Sequence, residues 1–490
     1  MSSLLRHNPW WEAPEKINTD PEIQGFESSA MKWLPRIKYK IDLNSEAICT
    51  LRGPRQVGKT TLIKLMIREL LENRVDSHRI FYYACDLVEN PSRLVEIIRS
   101  YLETVDHLSG MKYVFLDEIS SVKDWQKGIK HLYDLGELRN TFVLLTGSHS
   151  LDIRRASERL PGRRGVSNTT LDKILLPMKF SEYVETRDRE FNHILGLLGI
   201  RNLGKRREII FNLVKGKIPQ DLKRLSLYLD KLNQYLNEYL ITGGIAKAVN
   251  DYYKSGEVMK STYDTYVNVT IGDFLRHNKS ERYLAQLIKA INEDLCSQVS
   301  WTDLAKKTDI GSHNTVSEYI EILKSGFVLR PYYVLDRSSG SPRYRSNKKI
   351  HYGDPFIFHA LNGWVNQSPS FSLAQEYLGK HKSILVEGVV GDHLIRFAYN
   401  LNPSDNFEPT LNVFYWKDSK SEVDFILKTD QGYLPFEVKY ASTFNSDQIN
   451  GLYSFTSQDR ENTGIVVTKD LLGIHHGVAA IPASMLLLVL

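Results

Sequence analysis

Residues 53–61 read GPRQVGKTT, and Gly53 to Thr60 complete the pattern Gly-x4-Gly-Lys-Thr. The apolar run AICTLRG precedes it and the helical pattern TLIKLMIRELLE follows, which is the strand–loop–helix setting the pattern requires. Glycines let backbone N–H groups curl around phosphate oxygens. Lys59 then neutralises the β and γ charges, Thr60 offers a hydroxyl to Mg²⁺, and the helix N-terminus adds its dipole. A nucleotide is therefore expected on Gly53, Pro54, Arg55, Gln56, Val57, Gly58, Lys59, Thr60 and Thr61, with ATP and Mg²⁺ as cofactors.

Working outward, apolar runs alternate with helical patterns: RIFYYACDL, LVEIIRSYLETV, KYVFLDEI and FVLLTGS. Strands buried on both faces, each followed by a helix, indicate a parallel α/β sheet. Asp117 and Glu118 stand at the end of one such run, where a strand would deliver them to the phosphates. Asp117 is expected to hold Mg²⁺ through water, and Glu118 to orient or deprotonate the attacking water. Thr146 and Ser148 end the next run, placed to sense a γ-phosphate, and Arg163 in LPGRRG is a candidate for stabilising transition-state charge in cis or from a neighbouring subunit.

The chain has 490 residues, 42% apolar and 25% charged, which suits two to four globular domains. A net charge of +5 permits a polyanionic partner without requiring one. Three scattered cysteines and an opening MSSLLRHNPWWEAP with no leader-like pattern indicate a reducing, cytoplasmic setting. The longest apolar run, the C-terminal ASMLLLVL, is far shorter than the roughly 20 residues of a membrane span and is expected as a buried final strand.

Residues 1–30 read as a polar, Trp-punctuated arm, 31–184 as the P-loop core and 185–280 as a helical lid or insertion. Its basic stretch at 201–223 is either a partner surface or a solvated helix face. Residues 281–345 show helix, turn, helix and strand, the order of a winged helix-turn-helix. The candidate recognition helix carries Glu318 and Glu321, which repel phosphate. The expected wing gathers Arg337, Arg343, Arg345, Lys348 and Lys349 for DNA backbone contacts, against the alternative that this domain packs the ATPase against the C-terminal domain.

Residues 346–490 form a further mixed domain that contains SEVDFILKTDQGYLPFEVKY. A hairpin turning near Asp430 to Gly432 sets Asp424 beside Glu437, with Lys439 on the same face as Glu437. Two carboxylates that close call for a divalent cation, Mg²⁺ or Mn²⁺, and Lys439 is placed to activate water or steady developing charge. Glu387, on a helix before the hairpin, is the third candidate ligand. The alternative is a degenerate site in which a salt bridge replaces the metal.

The order of GPRQVGKTT, YVFLDEIS, LLTGSHS, LPGRR, LLPMKFSEYV, YLITGGIAKAV, KKIHYGDPFI, LVEGVVGDHLIR, YWKDSKSEVDFIL and FEVKY resembles the archaeal and bacterial AAA+ family ATPases with a C-terminal domain of uncharacterised function. NPWW resembles the archaeal branch. The resemblance implies ATP on the P-loop, Mg²⁺ at Asp117, catalysis by Glu118, sensing near Ser148 and a functional arginine at Arg163. It also implies a C-terminal domain similar to the PD-(D/E)xK nuclease fold. The expected molecule is thus a multi-domain α/β chain: an AAA+ type parallel core, a helical lid, a winged helix-turn-helix and a PD-(D/E)xK-like domain. Its expected function is a Mg²⁺-dependent ATPase that interacts with DNA, alone or as a homo-oligomer, against the alternative of a nucleotide-gated switch with an inactive C-terminal domain.

Overall fold

The apolar runs around the phosphate loop become β1 (Ile48–Arg52), β2 (Ile80–Ala84), β3 (Lys112–Asp117), β4 (Thr141–Gly147) and β5 (Asp172–Ile174). They pair in parallel in the order β2-β3-β4-β1-β5. Every residue of β1 and β4 is buried, which is why these segments read as continuous apolar runs instead of alternating ones. A parallel sheet carrying a P-loop fits the AAA+ type of core. The computed structural model describes residues 2–147, 160, 162–366, 368–405, 407–457 and 462–490. Contacts divide the chain into one unit of Met1–Leu176 with residues 325–327 and 404–406, and a second unit containing the rest.

In the first unit β2 is an edge strand, whose outer backbone groups need cover. The N-terminal residues supply it. Asn8 accepts the Tyr82 N–H at 2.7 Å and donates to the Tyr82 carbonyl at 3.1 Å, while the indole N–H groups of Trp10 and Trp11 both donate to the Ile80 carbonyl. Lys64 lies over the rings of Trp10 and Tyr82 and pairs with Asp20 at 3.0 Å. The polar, Trp-rich opening is therefore an integral layer of this unit.

The second unit begins with helices, and residues 185–280 contain no strand. Its sheet has nine strands: β6 (Gln298–Val299), β7 (Leu329–Asp336), β8 (Ser341–Tyr352), β9 (Val413–Lys417), β10 (Glu422–Thr429), β11 (Gly432–Val438), β12 (Ile465–Thr468), β13 (Gly473–His475) and β14 (Val478–Pro482). The order is β13-β14-β12-β11-β10-β9-β7-β8-β6. Helices Trp301–Lys306 and His313–Ser325 precede the β7–β8 hairpin, and a parallel pairing of Val334 with Tyr415 joins that hairpin to β9. One face of the sheet packs through Leu335, Phe414, Val423, Ile426, Leu452 and Val466.

Two expectations are corrected here. ASMLLLVL is a helix, Ala483–Val489, buried at every residue. A short apolar run fits a buried strand or a buried helix equally well by periodicity, and Ala, Met and Leu favour the helix. The basic wing is largely consumed by packing: Lys348 and Lys349 are buried, and Arg337 stacks on Phe455 while donating to its carbonyl. Only Arg343, Tyr344 and Arg345 of that cluster are exposed. In the basic stretch at 201–223, Arg206 is buried and donates to the Leu490 carbonyl and Arg207 pairs with Asp430, while Arg201, Lys215, Lys217 and Lys223 are exposed. No helix of the described residues is long and apolar enough to cross a membrane.

Asn8→Ala orphans the Tyr82 amide at the covered sheet edge. Its hydrogen exchange should accelerate roughly tenfold to hundredfold, the equivalent of about 1–3 kcal/mol for a buried donor left unpaired. Site-resolved exchange measured by NMR or mass spectrometry checks this, and unchanged protection at Tyr82 would show that the N-terminal layer does not cap the strand.

Candidate functional site

The phosphate loop leaves β1 at Arg52 and enters the helix Lys59–Glu72 at Gly58, whose φ of 97° is left-handed. Gly53 is required for a different reason: a Cβ there would lie 2.1 Å from the Leu175 carbonyl oxygen. Gln56 also has positive φ and Val57 is buried, so the loop is tightly shaped between its glycines. Lys59 is buried, and its ammonium donates to the carbonyls of Gly53 and Pro54 at 3.1 and 3.0 Å. These oxygens occupy the ammonium as phosphate oxygens would. The Thr61 hydroxyl bonds to Glu22 of the N-terminal layer.

Asp117 ends β3, with β4 between it and β1. The Thr60 hydroxyl donates to Asp117 Oδ2 at 2.6 Å, the Tyr82 hydroxyl donates to the same oxygen at 3.1 Å, and Thr146 bonds to Oδ1. Burial, reinforced by the charge of Asp117, pushes the Tyr82 hydroxyl far above its usual range and keeps it a donor. Thr146 also accepts the Glu118 N–H at 3.1 Å, so one threonine orients both acidic residues. The Glu118 carboxylate stands 3.8 Å from the Lys59 ammonium. A hydroxyl and a carboxylate in contact beside a buried lysine fit Mg²⁺ and a polyphosphate, with Thr60 and Asp117 as the metal-holding pair. Arg163 pairs with Asp134 at 2.5 Å, and Arg164 is structural, bonded to the Ile48 carbonyl and to Asp172. Ser148 lies outside the described residues.

The second candidate site lies on β8, β10 and β11 and on the helix Phe371–Leu401, which carries Glu387. Phe425 pairs with Phe436 and Thr429 with Gly432, so a two-residue turn at Asp430-Gln431 sets Asp424 across from Glu437. An irregularity of the β9 pairing between Val423 and Ile426 spans Asp424. Such bulges re-aim side chains next to sites. Asp424 accepts the Val438 N–H at 2.9 Å and donates its own N–H to Glu437 at 3.3 Å, while Lys439 pairs with Glu437 at 2.7 Å.

Among these carboxylates sits the ammonium of Lys349, 3% exposed. It is 2.8 Å from Asp424, 3.6 Å from Glu387 and paired with Glu422. Sequence reasoning placed Lys349 in a DNA-facing wing and missed this position. The available signal was the alternation in KKIHY, which sets Lys349 and His351 on one face between buried apolar neighbours. Glu387, Glu422, Asp424 and Glu437 against Lys349 and Lys439 give −4 + 2 = −2 if all are ionised. Burial, together with the charge of Asp424, pushes Glu387 and Glu437 each up to about 8. Burial opposes ionisation of Asp424 as well, but Lys349 and Lys439 hold it below its usual range. Burial would lower Lys349, but Asp424, Glu387 and Glu422 hold it above its ordinary value. With Glu387 and Glu437 ionised, as above about pH 8 or when a cation displaces their protons, an oxygen donor set short of two positive charges fits a hard divalent cation at Glu387, Asp424 and Glu437, and Lys349 is that cation's competitor.

Residues 45–184 match the model of an AAA domain. Residues 233–368 match a domain of unknown function (DUF8612), and residues 382–486 match another (DUF4143), a description that names no chemistry. The chain is 24% identical over 399 residues to the uncharacterized protein MJ1544 of Methanocaldococcus jannaschii, covering 79% of this chain and 74% of that one. Among solved structures it is similar to the Walker-type ATPase PABY2304 of Pyrococcus abyssi (16% identity, TM-score 0.39, 65% of this chain and 91% of that one). It is also similar to the Aeropyrum pernix ORC1 protein in complex with DNA (14% identity, TM-score 0.31, 72% and 95%). Likenesses of that size establish no shared overall fold. The AAA-domain match, the parallel sheet and the P-loop geometry together support an AAA-type P-loop ATPase domain whose ligand is ATP.

Proposed function

We propose that the chain is a Mg²⁺-dependent ATP hydrolase of the cytoplasm that interacts with DNA and couples the nucleotide cycle to DNA remodelling or cleavage by a PD-(D/E)xK-like C-terminal site. The observation that carries the hydrolase is the Thr60–Asp117 contact at 2.6 Å, with Lys59 and Glu118 3.8 Å apart beside it. Bound Mg²⁺ would supply charge to the β and γ oxygens from this pair. Lys59 exchanges its two carbonyl partners for phosphate oxygens, and Glu118, oriented through its backbone by Thr146, takes the proton of the attacking water. Ser148 and Arg163 complete the proposed set as sensor and charge stabiliser, and Arg163 serving a neighbouring subunit would make the hydrolase a homo-oligomer. The DNA reading is supported by the exposed Arg343 and Arg345 and by the facing of Asp424 and Glu437 with Lys439 alongside. One observation favours the second reading, a nucleotide-gated switch with an inactive C-terminal site: the ammonium of Lys349 already lies among the carboxylates.

Glu118→Gln should lower the ATP turnover number by roughly 10²–10⁴-fold with nucleotide still bound, and Lys59→Ala should lose both turnover and binding. Full turnover in either variant would remove the hydrolase assignment. Labelled single-stranded, duplex and branched DNA incubated with ATP and Mg²⁺ or Mn²⁺ separate the two readings. Cleavage by the wild type that Lys439→Ala abolishes supports the nuclease, and no cleavage of any form leaves the switch.

Stability gives an independent readout. Glu387 and Glu437 bind protons more tightly folded than unfolded, so the folded chain carries more protons from the ordinary carboxylate range up to about pH 8. Stability of the second unit should therefore fall as pH rises through that window, and Glu437→Gln should flatten the fall. Its thermal transition recorded at steps from pH 5 to pH 8 tests the sign. Saturating Mn²⁺ should flatten the slope if the carboxylates accept a cation and leave it unchanged if Lys349 excludes one.

A further inference from the structure

We propose that Cys296, His351 and Glu387 form a transition-metal site of the zinc class, separate in chemistry from the oxygen set of Asp424 and Glu437 and joined to it through Glu387. Each residue offers one donor atom, and the three atoms lie within 4.8 Å of one another. Two separations are shorter: Glu387 Oε1 is 3.6 Å from His351 Nε2, and Cys296 Sγ is 3.8 Å from His351 Nδ1. A tetrahedral ion bonded at about 2.0–2.3 Å to nitrogen, oxygen and sulfur spaces its donors about 3.3–3.8 Å apart. The two short separations fall on different ring nitrogens and the set extends to as much as 4.8 Å, so one donor has to close in for all three to reach a single ion.

Independent observations point to a ligand. His351 is 2% exposed, and among the described residues its Nε2 and Glu387 Oε1 are buried with no hydrogen-bond partner, the Lys349 ammonium lying 3.6 Å from that oxygen as an ion pair. Buried polar atoms are rarely left so, and an absent ion is one of the recognised reasons. Cys296 is held at φ 63°, a backbone state that a residue with a side chain adopts at a cost and that clusters at functional sites. The three come from separate elements. Cys296 follows the helix Glu281–Glu293, His351 lies in β8 and Glu387 in the helix Phe371–Leu401. His351 is wedged against Tyr332 and Phe425. A cavity of about 30 Å³ adjoins the cluster on the His351 side, lined by His351, Ile384 and Gly388 but by neither Cys296 nor Glu387.

The donor types choose the metal. A thiolate, an imidazole and one carboxylate favour zinc, cobalt or another borderline ion over Mg²⁺ or Ca²⁺. On binding, the Cys296 S–H bond breaks, its proton leaves to solvent, and the sulfur lone pair forms the metal bond. Imidazole stays neutral, so thiolate and carboxylate together balance the dication. Three protein ligands plus water is the arrangement of zinc sites that keep an open position.

Cobalt(II) titration of the chelator-treated full-length chain tests the site without reference to ATP or DNA, so its failure is distinct from failure of the proposed function. The expected result is one equivalent of Co²⁺ bound with tetrahedral d–d absorption and a thiolate-to-cobalt charge-transfer band, displaced by Zn²⁺ and not by Mg²⁺. Cys296→Ser should lose the charge-transfer band, and Asp424→Asn should keep it. The other thiols, Cys49 and Cys85, belong to the first unit, so the band in Cys296→Ser reports any contribution from them. Absence of a thiolate–cobalt band in the wild type, or its persistence in Cys296→Ser, would overturn the proposal.

Discussion

The second unit is organised around one buried cation. Lys349 reaches from β8 to Asp424 in β10, to Glu422 at the start of the same strand and to Glu387 on the long helix. These partners span 75 residues of sequence at their widest. An ammonium withdrawn this far from water survives only because carboxylates surround it, and those carboxylates are tolerable only because it is there. The pairing therefore ties the β7–β8 hairpin to the C-terminal hairpin, alongside the parallel pairing of Val334 in β7 with Tyr415 in β9. Gln298 extends the arrangement, donating to Glu422 and accepting from Lys417, so that β6, β9 and β10 also share in it.

The first unit solves a similar problem with neutral groups. Asp117 is buried at the end of β3 and is surrounded by three hydroxyls, from Thr60, Tyr82 and Thr146. Hydroxyls satisfy a carboxylate without neutralising it, so its charge remains available to a cation from outside. Asp424 instead has two lysines in its surroundings. The contrast separates the two sites physically. One is a carboxylate poised for an incoming ion, and the other is a carboxylate whose countercharge is partly built in.

What could be read from sequence follows from how local each signal is. The phosphate loop is a contiguous motif whose geometry depends on Gly53 and Gly58, so strand, loop and helix were all legible, as were the apolar strands and the place of Asp117. The C-terminal hairpin was legible because its turn and its two-residue alternation fix the register, and register alone sets Asp424 across from Glu437. Lys349 was not legible. A lysine beside arginines in a Ser- and Gly-rich segment reads as solvated, and only the long-range pairing of β8 shows that its last residues are buried. The C-terminal helix failed for a related reason, since eight apolar residues carry no period and their neighbours decide the outcome. The nearness of Cys296 to His351 left no trace, because 55 residues and two unrelated elements separate them.

The cluster on β8 and the long helix also orders the affinities that its donors can have. A hard cation entering between Asp424 and Glu437 meets an ammonium 2.8 Å from one of its ligands, and at that range like charges oppose each other strongly in a buried setting. A cation bound from the Cys296 side has Glu387 as the ligand beside Lys349, 3.6 Å from the ammonium, still feels that charge at His351 and Cys296, and gains a thiolate that the other position lacks. Glu387 cannot serve both positions fully, because an oxygen committed to one ion is a weaker donor to the next. The two positions are therefore coupled through a single carboxylate, and the softer ion has the smaller electrostatic obstacle to overcome.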